Sequence, residues 1–176
     1  LSLILGGGEA SVWELAGIYS SMARMLIHYS ENSSRYDPSD WHMPVYSITD
    51  TLGKQARKDI LKLDEEYFVS AGSVWSAFEA MEDLMRPGEE ALWKQFNISQ
   101  KIAWKTGTSY GYRDAWSIGC TPKYAIAVWV GNADGEGRQG LTGISAAAPV
   151  MFDILSLLPS SDWFQIPYDD MEHIVV

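Results

Sequence analysis

An α/β (α+β) fold, an antiparallel sheet flanked by helices, is what this sequence predicts. Three observations carry that expectation: a helical apolar period over residues 11–29, three consecutive β-prone runs between residues 101 and 131, and another helical period over residues 145–158. With 176 residues, 47% of them hydrophobic, the chain has material for one globular core or most of a larger one.

The first helix begins at a capping box, Ser11 followed three residues later by Glu14. Val12, Leu15, Ala16, Tyr19, Met22, Ala23 and Leu26 then recur at helical spacing. A polar stretch over residues 30–40, with Asn32, Ser33, Ser34 and Pro38, ends it. Residues 45–50 alternate and are β-branched, which predicts a strand. Ser70 and Ser73 offer caps for a second helix, with Val74, Ala77, Phe78, Met81, Leu84 and Met85 as its apolar stripe and Arg86-Pro87-Gly88 as its stop. A shorter helix is expected over residues 89–96.

Residues 101–109, 113–120 and 124–131 are short β-prone runs separated by Gly or Pro, the pattern of a three-stranded meander. In the third run Ile126, Val128 and Val130 alternate with Ala125, Ala127 and Trp129, so both faces are apolar and cover on both sides is expected. After a Gly-rich loop over residues 134–143, Val150, Met151, Ile154, Leu155 and Leu158 form a helical stripe that Pro159 stops. The tail from Ser160 carries Trp163, Phe164, Pro167 and Tyr168 without a clear period; it either crosses the surface or leads towards a further domain.

Thirteen Lys plus Arg against 23 Asp plus Glu give a formal charge of -10, which repels phosphate backbones and argues against a nucleic-acid partner. Apolar runs such as residues 1–5 and 124–130 are far shorter than the roughly 20 residues needed to cross a bilayer. The start at Leu1, inside an apolar run with no basic region ahead of it, reads as a truncated or processed beginning. A single cysteine, Cys120, rules out an internal disulfide and reads as a buried thiol in a strand. His28, His42 and His173 stand far apart, and Asp64-Glu65-Glu66 reads as solvated carboxylates, so neither a metal nor a cofactor is expected.

One tetrad suggests chemistry. Lys105-Thr106-Gly107-Thr108 places a cation, two hydroxyls and a side-chain-free position in a predicted strand. Strand periodicity puts Thr106 and Thr108 on one side, where both hydroxyls can bond one anion while Lys105 supplies the field and the Thr108 amide offers an oxyanion donor. A Lys-Thr-Gly triplet is a weak signal alone, since a strand running into a turn accounts for it equally well. Two other patterns are read as decoys: Ser30-Glu31-Asn32 as a solvated loop after a helix, and Thr51-Leu52-Gly53-Lys54 as a turn. Arg113 and Asp114 form an ion pair or shape the cleft mouth, with Trp104, Tyr110, Tyr112 and Trp116 as core or rim.

The tetrad lies within Ile102-Ala103-Trp104-Lys105-Thr106-Gly107-Thr108-Ser109-Tyr110-Gly111-Tyr112-Arg113-Asp114-Ala115-Trp116, followed by Thr121-Pro122-Lys123-Tyr124 and Val128-Trp129-Val130-Gly131-Asn132. This ordered series resembles the transpeptidase domain of class A bifunctional penicillin-binding proteins, in which Lys-Thr-Gly is the third of three signatures. Leu5-Gly6-Gly7-Gly8 with Glu14-Leu15-Ala16 is similar to the family helix ahead of that strand, and Ala146-Ala147-Ala148-Pro149 to the start of its last sheet-packing helix. The resemblance covers residues 1–160 and implies the carboxyl-terminal part of a penicillin-recognition fold, shared with DD-peptidases and serine β-lactamases and incomplete here. Residues 161–176 are then a tail towards a missing region.

The resemblance also implies a reaction: a serine attacks the D-Ala-D-Ala bond of a peptidoglycan stem peptide and passes the acyl group to an amine, and β-lactams trap the acyl-enzyme. Lys105 and Thr108 are the implied catalytic residues, Thr106, Gly107 and Thr108 the substrate-binding ones, with no metal or cofactor. The family nucleophile belongs to Ser-x-x-Lys, and no serine of this chain has Lys three residues on, so the chain alone is expected to be inactive. The missing amino-terminal part of the domain is an expected partner. Apolar surface left bare without it points to self-association. The implied location is the periplasmic face of the bacterial inner membrane, reached through an upstream anchor. D,D-carboxypeptidases and serine β-lactamases share the strand signature and differ in using water as acceptor. A noncatalytic glycan- or peptide-binding module, using the 8 Trp and 9 Tyr as a platform, is the rival of another class.

Overall fold

The computed structural model describes residues 8–44, 69–87 and 100–171. The expected strand at 45–50, the Thr51–Lys54 pattern, the acidic triplet at 64–66, the helix at 89–96 and His173 lie outside the described residues. Among the described residues, no helix is long and apolar enough to cross a membrane.

Helix α1 spans Val12–Glu31 and opens on the anticipated box: the Glu14 amide donates to the Ser11 hydroxyl at 3.1 Å and the Ser11 amide to the Glu14 carboxylate at 2.7 Å. Hydrogen bonds to the carboxylate from the Ser11 amide first, and from its hydroxyl, stabilise the ionised form and hold the Glu14 carboxyl below its ordinary range. The helix ends two residues beyond 29, where Asn32 donates back to the His28 carbonyl and Ser33 and Ser34 turn left-handed at φ 57 and 61°. Helix α2, Ala71–Glu82, takes Ser70 as its cap. It stops before Leu84 and Met85, which the sequence places on the buried stripe. With the helix ended at Glu82 they leave its face, and Met85 is 82% exposed.

Strands β1 (Ala103–Thr108), β2 (Asp114–Cys120) and β3 (Ala125–Gly131) form an antiparallel meander in the order β1-β2-β3. Gly107 faces Trp116 and Trp116 faces Trp129, so one row crosses the sheet beside the tetrad. Alternation sends the two faces into different cores. On one face Ala103 and Cys120 join Met25 and Leu26 of α1, Val74 and Phe78 of α2, and Phe164. On the other, Ile102, Trp104, Ala115, Ile126 and Val128 meet Ala147, Met151, Phe152 and Leu155.

The expected two-sided cover of β3 holds only in part. Ile126 and Val128 are buried and Ala125 packs against the α1 core, but Trp129 stays 37% exposed. The last helix also starts earlier than its apolar period suggests. A π-helical turn over Gly143–Ala147, capped by Thr142, leads into helix α3, Ala148–Leu157. The tail crosses the surface as far as Met171: Trp163 donates its indole N–H to Glu79, Phe164 lies 5.2 Å from Phe78, and the Asp170 carboxylate accepts from the Gly72 amide at 2.8 Å.

Cys120 is the expected buried thiol, 0% exposed, and burial pushes its pKa up to about 12 from an ordinary 9.0. A raised folded pKa means stability present below the unfolded value and lost as pH rises from about 9 through about 12. Iodoacetamide at pH 8 is therefore expected to spare Cys120 until the chain unfolds. Alkylation that outpaces unfolding in a urea series would contradict this burial.

Candidate active site

The backbone of β1 sets the site. Ser109 donates its amide to the Asp114 carbonyl at 2.9 Å, one step beyond the Thr108–Ala115 pair. In an antiparallel ladder bonded and unbonded pairs alternate, so Gly107 and Lys105 are the next residues bonded to β2. The amides and carbonyls of Thr106 and Thr108 therefore point off the other edge. Among the described residues no strand pairs there.

Lys105 projects from the opposite face to Thr106, and its ammonium curls to the same edge, donating to the Thr106 carbonyl at 2.7 Å. Along an extended chain the Thr106 carbonyl and the Thr108 N–H are consecutive groups on that edge. A cation and an open N–H donor thus stand side by side. The Thr106 and Thr108 side chains share the face turned towards α3, as periodicity predicts, and the Thr108 hydroxyl accepts from the Gly143 amide at 2.9 Å.

Gly107 occupies the opposite face. A Cβ there would meet only the Trp116 Cβ at 3.6 Å, ordinary contact, so packing does not demand glycine. Its missing side chain instead leaves the strand bare above an open groove of about 560 Å³. The groove runs between Gly107, Thr108, Asp114 and Trp116 of the sheet and Glu9 and Leu15 at the start of α1.

The flanking residues divide. Asp114 accepts the Trp129 indole N–H at 2.9 Å, and among the described residues no ion pair joins it to Arg113. Asp114 lines the groove, whereas Arg113 is not among its lining residues. Trp116 lines the groove and lies 6.4 Å from Trp129; Trp104 is a core residue. Tyr110 is fully exposed on the hairpin after Thr108, and Tyr112 holds a left-handed φ of 56° beside it. Ser30-Glu31-Asn32 closes the far end of the 20-residue α1, about 22 Å along the helix from Leu15 of the groove, and the Ser30 hydroxyl bonds within its own helix to the Leu26 carbonyl. Ser30 and Glu31 are thus the last residues of α1 rather than the expected loop, and only Asn32 lies beyond the helix, as its C-cap.

Glu9, Thr142 and Gly143 reach the site without any sequence signal having marked them. Thr142 caps its helix with Ser145 in the reciprocal place, whereas the recognisable box carries Glu or Gln there.

No family model matches the chain, and no solved structure matches it. Among curated proteins, penicillin-binding protein 1C of Escherichia coli (strain K12) is 32% identical over 160 residues, 91% of this chain and 17% of that protein. Penicillin-binding protein 1A of Neisseria cinerea is 27% identical over 157 residues, 88% of this chain and 18% of that protein. Penicillin-binding protein 1B of Vibrio cholerae serotype O1 is 24% identical over 149 residues, 85% of this chain and 17% of that protein. The chain thus spans less than a fifth of the length of these relatives.

Proposed function

We propose, from the premise that this chain is a homologue of the penicillin-binding proteins over nearly its whole length, that it forms the Lys-Thr-Gly side of a peptidoglycan D,D-transpeptidase centre. The observation that supports this reading best is the open edge of β1, where the Lys105 ammonium and the Thr108 N–H stand side by side at the rim of a groove bared by Gly107, while the Thr108 hydroxyl lies on the α3 side of the same strand.

In this reading a donor stem peptide lies along β1. The Thr106 and Thr108 hydroxyls donate to the terminal carboxylate of D-Ala-D-Ala, and Lys105 supplies the balancing charge. A serine from outside these residues attacks the penultimate carbonyl, and its proton passes through the lysine-linked network to the leaving D-alanine amine. The Thr108 amide donates to the oxyanion, which a preorganised N–H stabilises more than it does the ground-state carbonyl. An acceptor amine then displaces the serine oxygen, forming the cross-link and restoring the hydroxyl. A β-lactam presents the same carboxylate and carbonyl, and its ring opens onto the serine.

Residues 1–160 are assigned on this reading to the transpeptidase domain, on the extracytoplasmic side of the membrane where peptidoglycan lies. No residue of the tetrad replaces the nucleophile. Incubated with fluorescent penicillin, the 176-residue chain is expected to show no adduct by intact mass, whereas a chain extended upstream through a Ser-x-x-Lys segment labels. A covalent adduct on the 176 residues, or an extended protein that stays unlabelled, overturns the reading.

A further inference from the structure

The helical run behind β1 begins at the tetrad itself. Gly143 opens the π-helical turn that continues into α3, and its amide donates to the Thr108 hydroxyl rather than to any backbone carbonyl. The turn is held from both sides. The Ser145 amide donates to the Thr142 hydroxyl and the Thr142 amide to the Ser145 hydroxyl, each at 3.3 Å. A Cβ on Gly143 would lie 2.5 Å from the Gly107 and Trp116 carbonyl oxygens and 2.9 Å from the Thr106 Cβ. Only glycine lets the helix start approach this closely.

The consequence lies in the hydroxyl. A threonine hydroxyl has one proton and two lone pairs and ordinarily rotates to donate or accept. A carboxylate only accepts, so the hydroxyl that binds one must donate. The Gly143 N–H occupies a lone pair on the helix side and cannot receive the proton, which is left to point outwards. Accepting that bond also polarises the O–H, and the first amides of a helix carry partial positive charge that favours a nearby anion.

We propose that Gly143 is a positioning residue: its amide sets the Thr108 hydroxyl as a dedicated donor to the substrate carboxylate. The inference rests on the reading of Thr108 as a carboxylate ligand. Thr142 and Ser145 serve it indirectly by fixing where the Gly143 amide points.

The test measures carboxylate preference. The 176-residue chain is titrated by NMR with N-acetyl-D-Ala-D-Ala and with its C-terminal carboxamide, and the two dissociation constants are compared. The unaltered chain is expected to prefer the carboxylate. Gly143→Ala is expected to reduce that preference about tenfold, the scale of one charge-assisted hydrogen bond, with carboxamide binding unchanged. A merely structural role would weaken both ligands in parallel, and that result, or a preference left intact, overturns the proposal. Should Gly143→Ala fail to fold, Thr142→Val decides, because it loosens the cap without placing an atom against β1. Reduced preference is expected, and unchanged preference sinks the idea. No preference in the unaltered chain would refute the carboxylate reading of Thr106 and Thr108 itself, a failure separate from that of Gly143.

Discussion

Replacing Lys105 by Ala, in a protein that also supplies the serine nucleophile, is expected to slow acylation by a β-lactam roughly 10²–10³-fold, the scale seen when a preorganised electrostatic donor is removed from a reacting centre. Lys105 is exposed, and its ammonium bonds only the Thr106 carbonyl among the described residues, so little of the fold depends on it. Stability is expected to stay within about 0.5 kcal/mol. The loss would lie in the positive charge beside the Thr108 N–H, which a substrate carboxylate and a proton in transit both need. Arginine is not an equivalent replacement, because a planar guanidinium cannot sit as a compact charge along a strand edge. The measurement is a time course of fluorescent penicillin incorporation with a urea melt on the same variant. A rate within about threefold of the parent would remove Lys105 from the mechanism.

The tetrad was legible because its meaning is local. A strand period of 2 fixes which residues share a face, and the flanking aromatics and glycines distinguish this Lys-Thr-Gly from a chance triplet. Helix α1 was legible for the same reason, through Ser11, Glu14 and a regular apolar stripe. What escaped depends on contacts distant in sequence. Gly143 meets Thr108 across 35 positions, and nothing near Gly143 announces it. Trp129 alternates as a buried residue would, yet it stays 37% exposed and donates its indole N–H to Asp114. Leu84 and Met85 continue the apolar stripe of α2 in sequence after the helix has stopped. Periodicity reports what an element would bury if it continued and were covered, and it is silent on where neighbours stop.

The same contacts make Trp104 the residue on which the described core and the site depend together. It is 2% exposed, its ring meets Phe152 edge-on at 5.0 Å, and it directly precedes Lys105. Trp104→Ala is expected to cost about 3–5 kcal/mol, since a core cavity of indole size cannot collapse between a sheet and a packed helix. Trp104→Phe is expected to cost far less, about 1 kcal/mol. Among the described residues the buried indole N–H has no hydrogen-bond partner, so removing it relieves an unsatisfied donor and offsets part of the lost ring area. The midpoints of urea unfolding for the two variants separate these terms, and a Phe loss well above about 1 kcal/mol would mean that the indole N–H makes a hydrogen bond in solution. Because α3 and the Gly143 turn rest on this face of the sheet, Trp104→Ala is also expected to lower the carboxylate preference carried by Thr106 and Thr108 at denaturant concentrations below its midpoint. Trp104→Phe should leave that preference in place, since the ring still holds α3 against β1.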